Sequence, residues 1–343
     1  MEYRLLGRSG CAVSAYALGT MTFGSETDEA TSFAQLDAFV ERGGTLLDCA
    51  DVYGAGAAET IVGRWLARRP ADVVDRMVIV TKGRFPATPV LGAEGSSRRH
   101  LRRALDASLR RLGRDHVDMF MVHSWDPLTP LEETLAFLDD AVRSGLVVYP
   151  GLSNYLGWQV QKAVDVARAR GLAAPVALQP SYSLLVREAE WEILPAAADS
   201  GLGLLCWSPL GGGWLTGKYR RDERPVGATR LGEDPSRGLE AYDRRAADPQ
   251  TWDVLDVVDK VATDRGATPA QVSLAWVAQR PGVSSVLLGA RTLEQLLENL
   301  AAATMILSDD EMERLTAVSA PRAAPWPYGE DGAEQRMRRL PGR

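Results

Sequence analysis

Four side chains of this sequence combine into a proton-transfer set: Asp48, Tyr53, Lys82 and His123. They stand in Thr-Leu-Leu-Asp-Cys-Ala-Asp-Val-Tyr-Gly (45–54), Ile-Val-Thr-Lys-Gly (79–83) and Met-Phe-Met-Val-His-Ser-Trp (119–125). Each stretch begins as an apolar run and reads as a strand that delivers its polar residue at the carboxyl end. A phenol has a pKa of about 10 and needs tuned neighbours to act as an acid near neutrality. The Lys82 ammonium is expected to favour the phenolate and lower that pKa, with Asp48 keeping Lys82 charged and oriented. His123 can hydrogen-bond a substrate oxygen and stabilise the negative charge that develops there. The chemistry this predicts is carbonyl reduction with Tyr53 as general acid. Lysine occurs only at 82, 162, 218 and 260, and histidine only at 100, 116 and 123. With so few of either, one of each at consecutive strand ends carries weight.

These residues need a scaffold that presents strand ends together, and the pattern supplies one. Tyr3–Leu6 and Ala12–Ser14 flank a Gly-Arg-Ser-Gly turn and predict a hairpin. Strands are then predicted at 15–18, 45–48, 77–81, 117–122, 146–152, 176–179, 202–207 and 285–288. Helices are predicted over 28–42, 98–112, 131–144, 157–170, 188–200, 250–265 and 268–280. Thr268 precedes Pro269 as a helix start, and Thr292/Gln295 and Ser308/Glu311 read as capping boxes. Eight strands alternating with helices predict an α/β (β/α)8 TIM barrel, whose catalytic groups sit at the carboxyl ends of the strands. An open doubly wound sheet would want a glycine-rich phosphate turn after the first strand, and Gly19-Thr20-Met21-Thr22-Phe23-Gly24 does not match one. We read 1–320 as a single barrel domain and 321–343 as a C-terminal tail. Segment 211–249, rich in Gly, Pro, Arg and Asp, is too long for a plain connection and reads as a lid.

The 343 residues are 45% hydrophobic and 24% charged, enough for a large core. The net charge of −6 opposes nucleic-acid or anionic-membrane binding, which need basic patches. No apolar run is long enough to span a bilayer, and the N-terminus has no signal-peptide pattern. Cys11, Cys49 and Cys206 lack metal-ligand spacing and are odd in number, so a reducing, cytoplasmic setting and no metal are expected.

With these motifs in place the chain resembles the aldo-keto reductase family, in its bacterial-type, NADPH-dependent form, over nearly its whole length. Asp-x-x-x-x-Tyr, Thr-Lys and a hydrophobic strand ending in His match that family's tetrad at Asp48, Tyr53, Lys82 and His123. The resemblance implies a nicotinamide cofactor, usually NADPH, bound without a Rossmann domain, and a small-molecule carbonyl substrate. It places Gly19, Thr20 and Met21 after the first barrel strand. Ser153, Asn154 and Gln179 fall where the family holds the nicotinamide carboxamide. Trp207 falls where an aromatic stacks on the nicotinamide, and Ser208, Pro209 and Leu210 where the backbone meets the pyrophosphate. Gly212, Leu215, Gly217 and Lys218 continue that loop, so 211–249 is the cofactor-covering segment. Gly289, Arg291, Gln295, Glu298 and Asn299 match the adenosine-phosphate site, with Arg291 as the 2′-phosphate partner. Trp207 replaces a common tyrosine, and Gly289-Ala290 replaces a Lys-Ser pair of many eukaryotic members.

Two other functions share this barrel. One is a regulatory subunit that holds the cofactor and senses redox state with little turnover. The other is a Schiff-base aldolase using Lys82, which the adjacent Asp48 opposes by keeping the amine protonated. Substrate choice is expected to lie in loops 23–28, 84–97, 124–130 and 211–249 and the tail. Met21, Phe23, Phe85, Trp125 and Trp326 suggest an apolar, aromatic pocket.

Overall fold

A computed structural model describes residues 1–87, 92–221, 223–227, 229–236 and 238–336. Parts of the 84–97 loop, of the 211–249 segment and of the tail, including 337–343, lie outside the described residues. Strands β1 (Tyr3–Leu5) and β2 (Ala12–Ser14) form an antiparallel hairpin. Eight parallel strands close a barrel: β3 (Tyr16–Gly19), β4 (Leu46–Asp48), β5 (Val78–Gly83), β6 (Val117–Val122), β7 (Val147–Ser153), β8 (Ala177–Gln179), β9 (Gly203–Cys206) and β10 (Val283–Leu288). They pair in chain order, and β10 pairs with β3 to close the ring. The expected α/β (β/α)8 TIM barrel with an N-terminal hairpin is what the chain forms.

The strands are rich in Val, Ile, Leu, Met and Phe because both of their faces are buried. One face fills the barrel interior with Leu6, Val13, Ala17, Leu46, Val80, Met119, Met121, Ala177, Leu205 and Leu287. The other packs on the helices through Leu47, Ile79, Phe120, Val122, Leu152 and Val286, among others. Leu6 and Val13 come from the hairpin and its turn, which plug the N-terminal mouth. The approach there is close: a Cβ on Gly7 would lie 2.4 Å from the Gly203 nitrogen. Arg4 donates to the carbonyls of Ala278 and Val283 from the same side. With the floor sealed, chemistry is left to the opposite, C-terminal mouth.

Helix boundaries follow local signals. Ser97 caps Arg98–Leu112, and Thr268 with Gln271 makes a full capping box on Pro269–Ala278. Gly113, Gly201 and Gly266 end their helices in the left-handed conformation. Two expectations need correction. The helix expected over 188–200 is a 3-10 turn at Glu188–Glu190 followed by a helix at Ile193–Ser200. Pro195 permits a first turn but blocks a helix continuing from 191, because its ring would clash with that carbonyl. The box expected at Thr292/Gln295 is half formed. Thr292 Oγ1 accepts from the Gln295 nitrogen, while the Gln295 side chain reaches past it to the Arg291 nitrogen. The Ser308/Glu311 box is complete.

Segment 211–249 is organised around its own aromatic cluster. Trp214 stacks on Tyr242 at 5.4 Å and meets Tyr219 and Trp252 edge-on, with Leu231 buried beside them. The tail docks by Tyr328, which stacks on Trp191 and donates to Glu192. No described helix is long and apolar enough to cross a membrane.

Candidate active site

The ends of β4, β5 and β6 converge at the open mouth. Lys82, on β5, is fully buried and its ammonium has three partners. It donates to Asp48 Oδ2 at 2.8 Å, to the Cys49 carbonyl at 2.8 Å and to the Tyr53 hydroxyl at 3.3 Å. Asp48 ends β4, and its second oxygen accepts from Gln179 Nε2 at 2.8 Å. Tyr53 opens the turn Tyr53–Gly56 that follows. In that turn Gly54, Ala55 and Gly56 have positive φ, which swings the chain sharply back and leaves the Tyr53 ring at the rim. His123 follows β6; its nitrogen donates to the Gly83 carbonyl, and its ring lies 5.9 Å from that of Tyr53, edge to face. The four residues are thus brought together, with Tyr53 partly exposed and the other three buried.

The electrostatics differ from expectation at one point. Lys82 was expected to lower the Tyr53 pKa. Burial of the phenol outweighs the pull of the Lys82 ammonium, and the Asp48 charge adds to burial, so the net shift is upward. The hydroxyl therefore keeps its proton through the neutral range and can donate it. Lys82 is raised as well, because the attraction of Asp48 and Tyr53 exceeds its own cost of burial. A lysine held protonated in this way is a poor Schiff-base nucleophile. His123 is held well below its ordinary value by burial, with Lys82 and Arg84 adding to the effect. It stands as a neutral imidazole, able to donate from one nitrogen only.

The pattern of tetrad spacing missed two acids directly behind it. Asp51 and Glu59 are buried. Glu59 accepts from Thr81 Oγ1 and pairs with Arg111. Among the described residues Asp51 Oδ1 has no hydrogen-bond partner, and burial together with the Glu59 charge raises its pKa to about 7. A sequence signal existed, since Asp51 interrupts an otherwise apolar turn between Asp48 and Tyr53. An unfolded aspartate titrates near pH 4, so between about 4 and 7 the folded chain holds a proton that the unfolded chain has released. Folding stability is therefore expected to fall as pH rises through that window and to level off above it. Asp51→Asn removes the penalty, gaining up to about 4 kcal/mol over wild type at pH 8 and little at pH 4. Urea denaturation at the two pH values measures this, and a pH-independent difference between the proteins would contradict it.

Around the mouth the structure groups the remaining sequence-derived residues in two sets. The first comprises Trp207 and residues at or just after the ends of β3, β7 and β8. Trp207 Nε1 donates to Asn154 Oδ1 at 3.1 Å, and Asn154 Nδ2 donates to the His123 carbonyl at 2.9 Å. Ser153 Oγ donates to the Gln179 carbonyl. Gly19 ends β3, Thr20 is buried on the Asp48 carbonyl, and Met21 is exposed next to it. The second set lies on the loop after β9. Pro209 is buried, Leu210 half-buried, and Ser208, Gly211, Gly212 and Gly213 all have positive φ. Successive left-handed residues turn backbone N–H groups to one side, an arrangement that suits anions. Leu215 is buried beneath this loop and Gly217 closes it in the left-handed region. The Lys218 ammonium crosses it, 2.7 Å from where a Gly213 Cβ would stand. Burial lowers the Lys218 pKa, and the positive charges of Arg291 and Arg230 lower it further. Three cations therefore face one region, which fits a phosphate-bearing nucleotide.

Arg291 is not free in this arrangement. It pairs with Glu26 and, through two nitrogens at 2.8 and 3.1 Å, with Glu233 of the 211–249 segment. Gly289 beside it has open space above its Cα, and Gln295 braces the Arg291 nitrogen. Glu298 is exposed with its carbonyl bound by Gln271, and Asn299 is buried. Of the aromatic pocket residues, Phe23 is corrected to core: it is fully buried against the helices. Phe85 packs edge-on to His123 at 5.0 Å, and Trp125 contacts Tyr155 and Trp158. Trp326 is largely exposed. Among the described residues no group of His, Cys, Asp and Glu could hold a metal ion.

Known proteins are similar to this chain in sequence. The profile of the Aldo/keto reductase family matches residues 16–320. An uncharacterized oxidoreductase, YrpG, of Bacillus subtilis is 36% identical over 96% of this chain and 98% of its own length. A probable voltage-gated potassium channel subunit beta of Oryza sativa is 36% identical over 93% of this chain and 96% of its own. Versiconal hemiacetal acetate reductase of Aspergillus parasiticus is 31% identical over 94% and 98%. A tetrad at the open end of a barrel, a family match over residues 16–320 and relatives aligned over nearly their full length agree: the chain belongs to the aldo/keto reductase family of NAD(P)H-dependent oxidoreductases.

Proposed function

We propose that the protein reduces aldehydes or ketones to alcohols with NADPH, using Tyr53 as the general acid. The observation that carries this reading is the Lys82 ammonium, bonded at once to Asp48 and to the Tyr53 hydroxyl beside a neutral His123. When bound, the reduced nicotinamide supplies the hydride that forms the new C–H bond at the carbonyl carbon. Tyr53 gives its proton to the carbonyl oxygen as that oxygen becomes negative, and the neighbouring ammonium compensates the phenolate left behind. His123 donates a hydrogen bond that orients the oxygen. Trp207 is fixed by Asn154 as a flat wall for the nicotinamide ring, with Ser153 and Gln179 nearby for its carboxamide. The glycine turn at 211–213, Lys218 and Arg291 take the phosphates. The primary test follows NADPH oxidation spectrophotometrically over a panel of aldehydes and ketones. Ordinary enzymic turnover supports the reading, and none with any carbonyl overturns it.

NADPH over NADH is expected because Arg291 sits at the adenosine end with a bidentate guanidinium, suited to a phosphate dianion. The 2′-phosphate exchanges with Glu233, its competitor in this structure. Arg291→Ala is expected to weaken NADPH binding about tenfold or more and NADH binding hardly at all. A titration of tryptophan fluorescence with each nucleotide reads both, since Trp207 reports on a bound nicotinamide. Equal losses would place the phosphate elsewhere.

The relative named as a potassium channel subunit beta supports a second reading, a cofactor-binding redox sensor with little turnover. Tight NADPH binding without measurable reduction of any carbonyl would favour it.

A further inference from the structure

Arg84 is placed beside the proton-transfer set and takes no part in it. It follows Lys82 and Gly83 at the mouth end of β5. Its φ is +151°, in a region that side-chain-bearing residues rarely adopt. Its carbonyl is pinned by the Gly95 nitrogen at 2.8 Å. Strain of this kind persists only where the surroundings enforce it, and it gathers at ligand-binding positions. The guanidinium carbon lies 4.8 Å from the centre of the Phe85 ring, and that ring lies 5.0 Å from the His123 ring. The charge is near enough to help hold His123 neutral.

Among the described residues no carboxylate pairs with this cation. Among the described residues, Arg84 Nε is buried without a hydrogen-bond partner and the guanidinium forms no ion pair. Three arginines on the following helix are paired with acids: Arg98 with Asp140, Arg102 with Asp106 and Arg111 with Glu59. The acid that feels the Arg84 charge is Asp126. Its oxygens are already taken by the Ser96 and Leu128 nitrogens and the Thr129 hydroxyl. A partly buried guanidinium without a counter-ion among the described residues gains from an anionic partner that offsets its desolvation.

We propose that Arg84 is a specificity-determining residue that binds a carboxylate of the substrate, so that the preferred substrates are oxo-acids. The carbonyl oxygen sits at Tyr53 and His123, the body of the substrate lies along Phe85, and the carboxylate meets the guanidinium fork. Phe85 between the two groups sets a separation of about one aromatic ring. This rests on the reductase reading of the tetrad.

The test compares 4-carboxybenzaldehyde with 4-methylbenzaldehyde, which are similar in size and differ in charge, on wild type, Arg84→Gln and Arg84→Lys. Wild type is expected to favour the acid. Arg84→Gln is expected to lose about 10- to 100-fold in kcat/KM for the acid, chiefly through KM, and to change less than about threefold for the neutral aldehyde. Arg84→Lys should recover part of the loss. Equal losses on both aldehydes, or none on the acid, would overturn the proposal. If wild type reduces neither aldehyde, the reductase reading is decided by the carbonyl panel and not by this pair. Calorimetry with benzoate then decides the anion site: binding weakened about tenfold by Arg84→Gln upholds it, and equal or absent binding in both proteins rejects it.

Discussion

Tyr53→Phe is expected to lower kcat by about 10²- to 10⁴-fold while changing NADPH affinity by less than about threefold. The substitution removes one oxygen from a ring that otherwise packs beside His123 and under the Lys82 ammonium, 4.9 Å from its centre. The ring, its packing and the cation above it all remain. What disappears is the proton that must reach the carbonyl oxygen as hydride arrives. No described side chain can replace it: Lys82 is held charged by Asp48, and His123 is held neutral by burial. The upward shift at Tyr53 adds a pH signature. The acid form prevails through neutrality, so kcat for reduction should stay level across the neutral range and fall only on the alkaline side. Turnover near wild type in the variant would remove Tyr53 from the chemistry. A fall already evident between about pH 6 and 7 would point to His123 as the acid instead, since that is where an ordinary imidazole loses its proton.

Lys82→Met is expected to cost about 3–5 kcal/mol of stability as well as activity. Lys82 and Asp48 form a fully desolvated pair, and the substitution fills the space of the lysine stem but leaves a carboxylate without its counter-charge. Gln179 still donates to Asp48 Oδ1, which is far less than a cation provides. The double variant Asp48→Leu/Lys82→Met is expected to regain most of the stability, since a buried ion pair replaced by apolar groups is often close to neutral. It should remain inactive. Urea denaturation and turnover, measured on both proteins, separate the two roles. If the single variant is as stable as wild type, the pair is solvated and its influence on Tyr53 is smaller than the distances imply. If the double variant is no more stable than the single one, the loss comes from packing rather than from charge.

The residues that position this site were unevenly legible. The barrel could be read because each strand is a short apolar run that ends at or next to a glycine or polar residue, and several long helices open on a capping side chain: Asp28, Ser97, Asp248, Thr268 and Ser308. The tetrad could be read because Asp48, Lys82 and His123 each terminate such a run. The helix Ala57–Leu66 is harder to place from sequence: its N-cap is Gly56 in a left-handed conformation, without a side-chain cap. The break at 191 depends on Pro195 acting on a residue four positions earlier. Phe23 looked like a pocket residue because aromatic character says nothing about which side of a turn faces the core.

Sequence by itself determined the strand order, most of the helices, the closed barrel and the identities of the four residues at one mouth. Those features are local, since period, caps and residue type act within a few positions. Tertiary structure alone decided the charge states. Whether Lys82 lowers or burial raises the Tyr53 pKa depends on two opposing energies, both set by how much water the fold excludes. It also decided which arginines are engaged. Arg291 is held by Glu26 and Glu233, from segments far apart in the chain, while Arg84 has an aromatic ring and, among the described residues, no carboxylate. Such pairings depend on distances of a few ångströms between remote segments, and only the packed barrel fixes those.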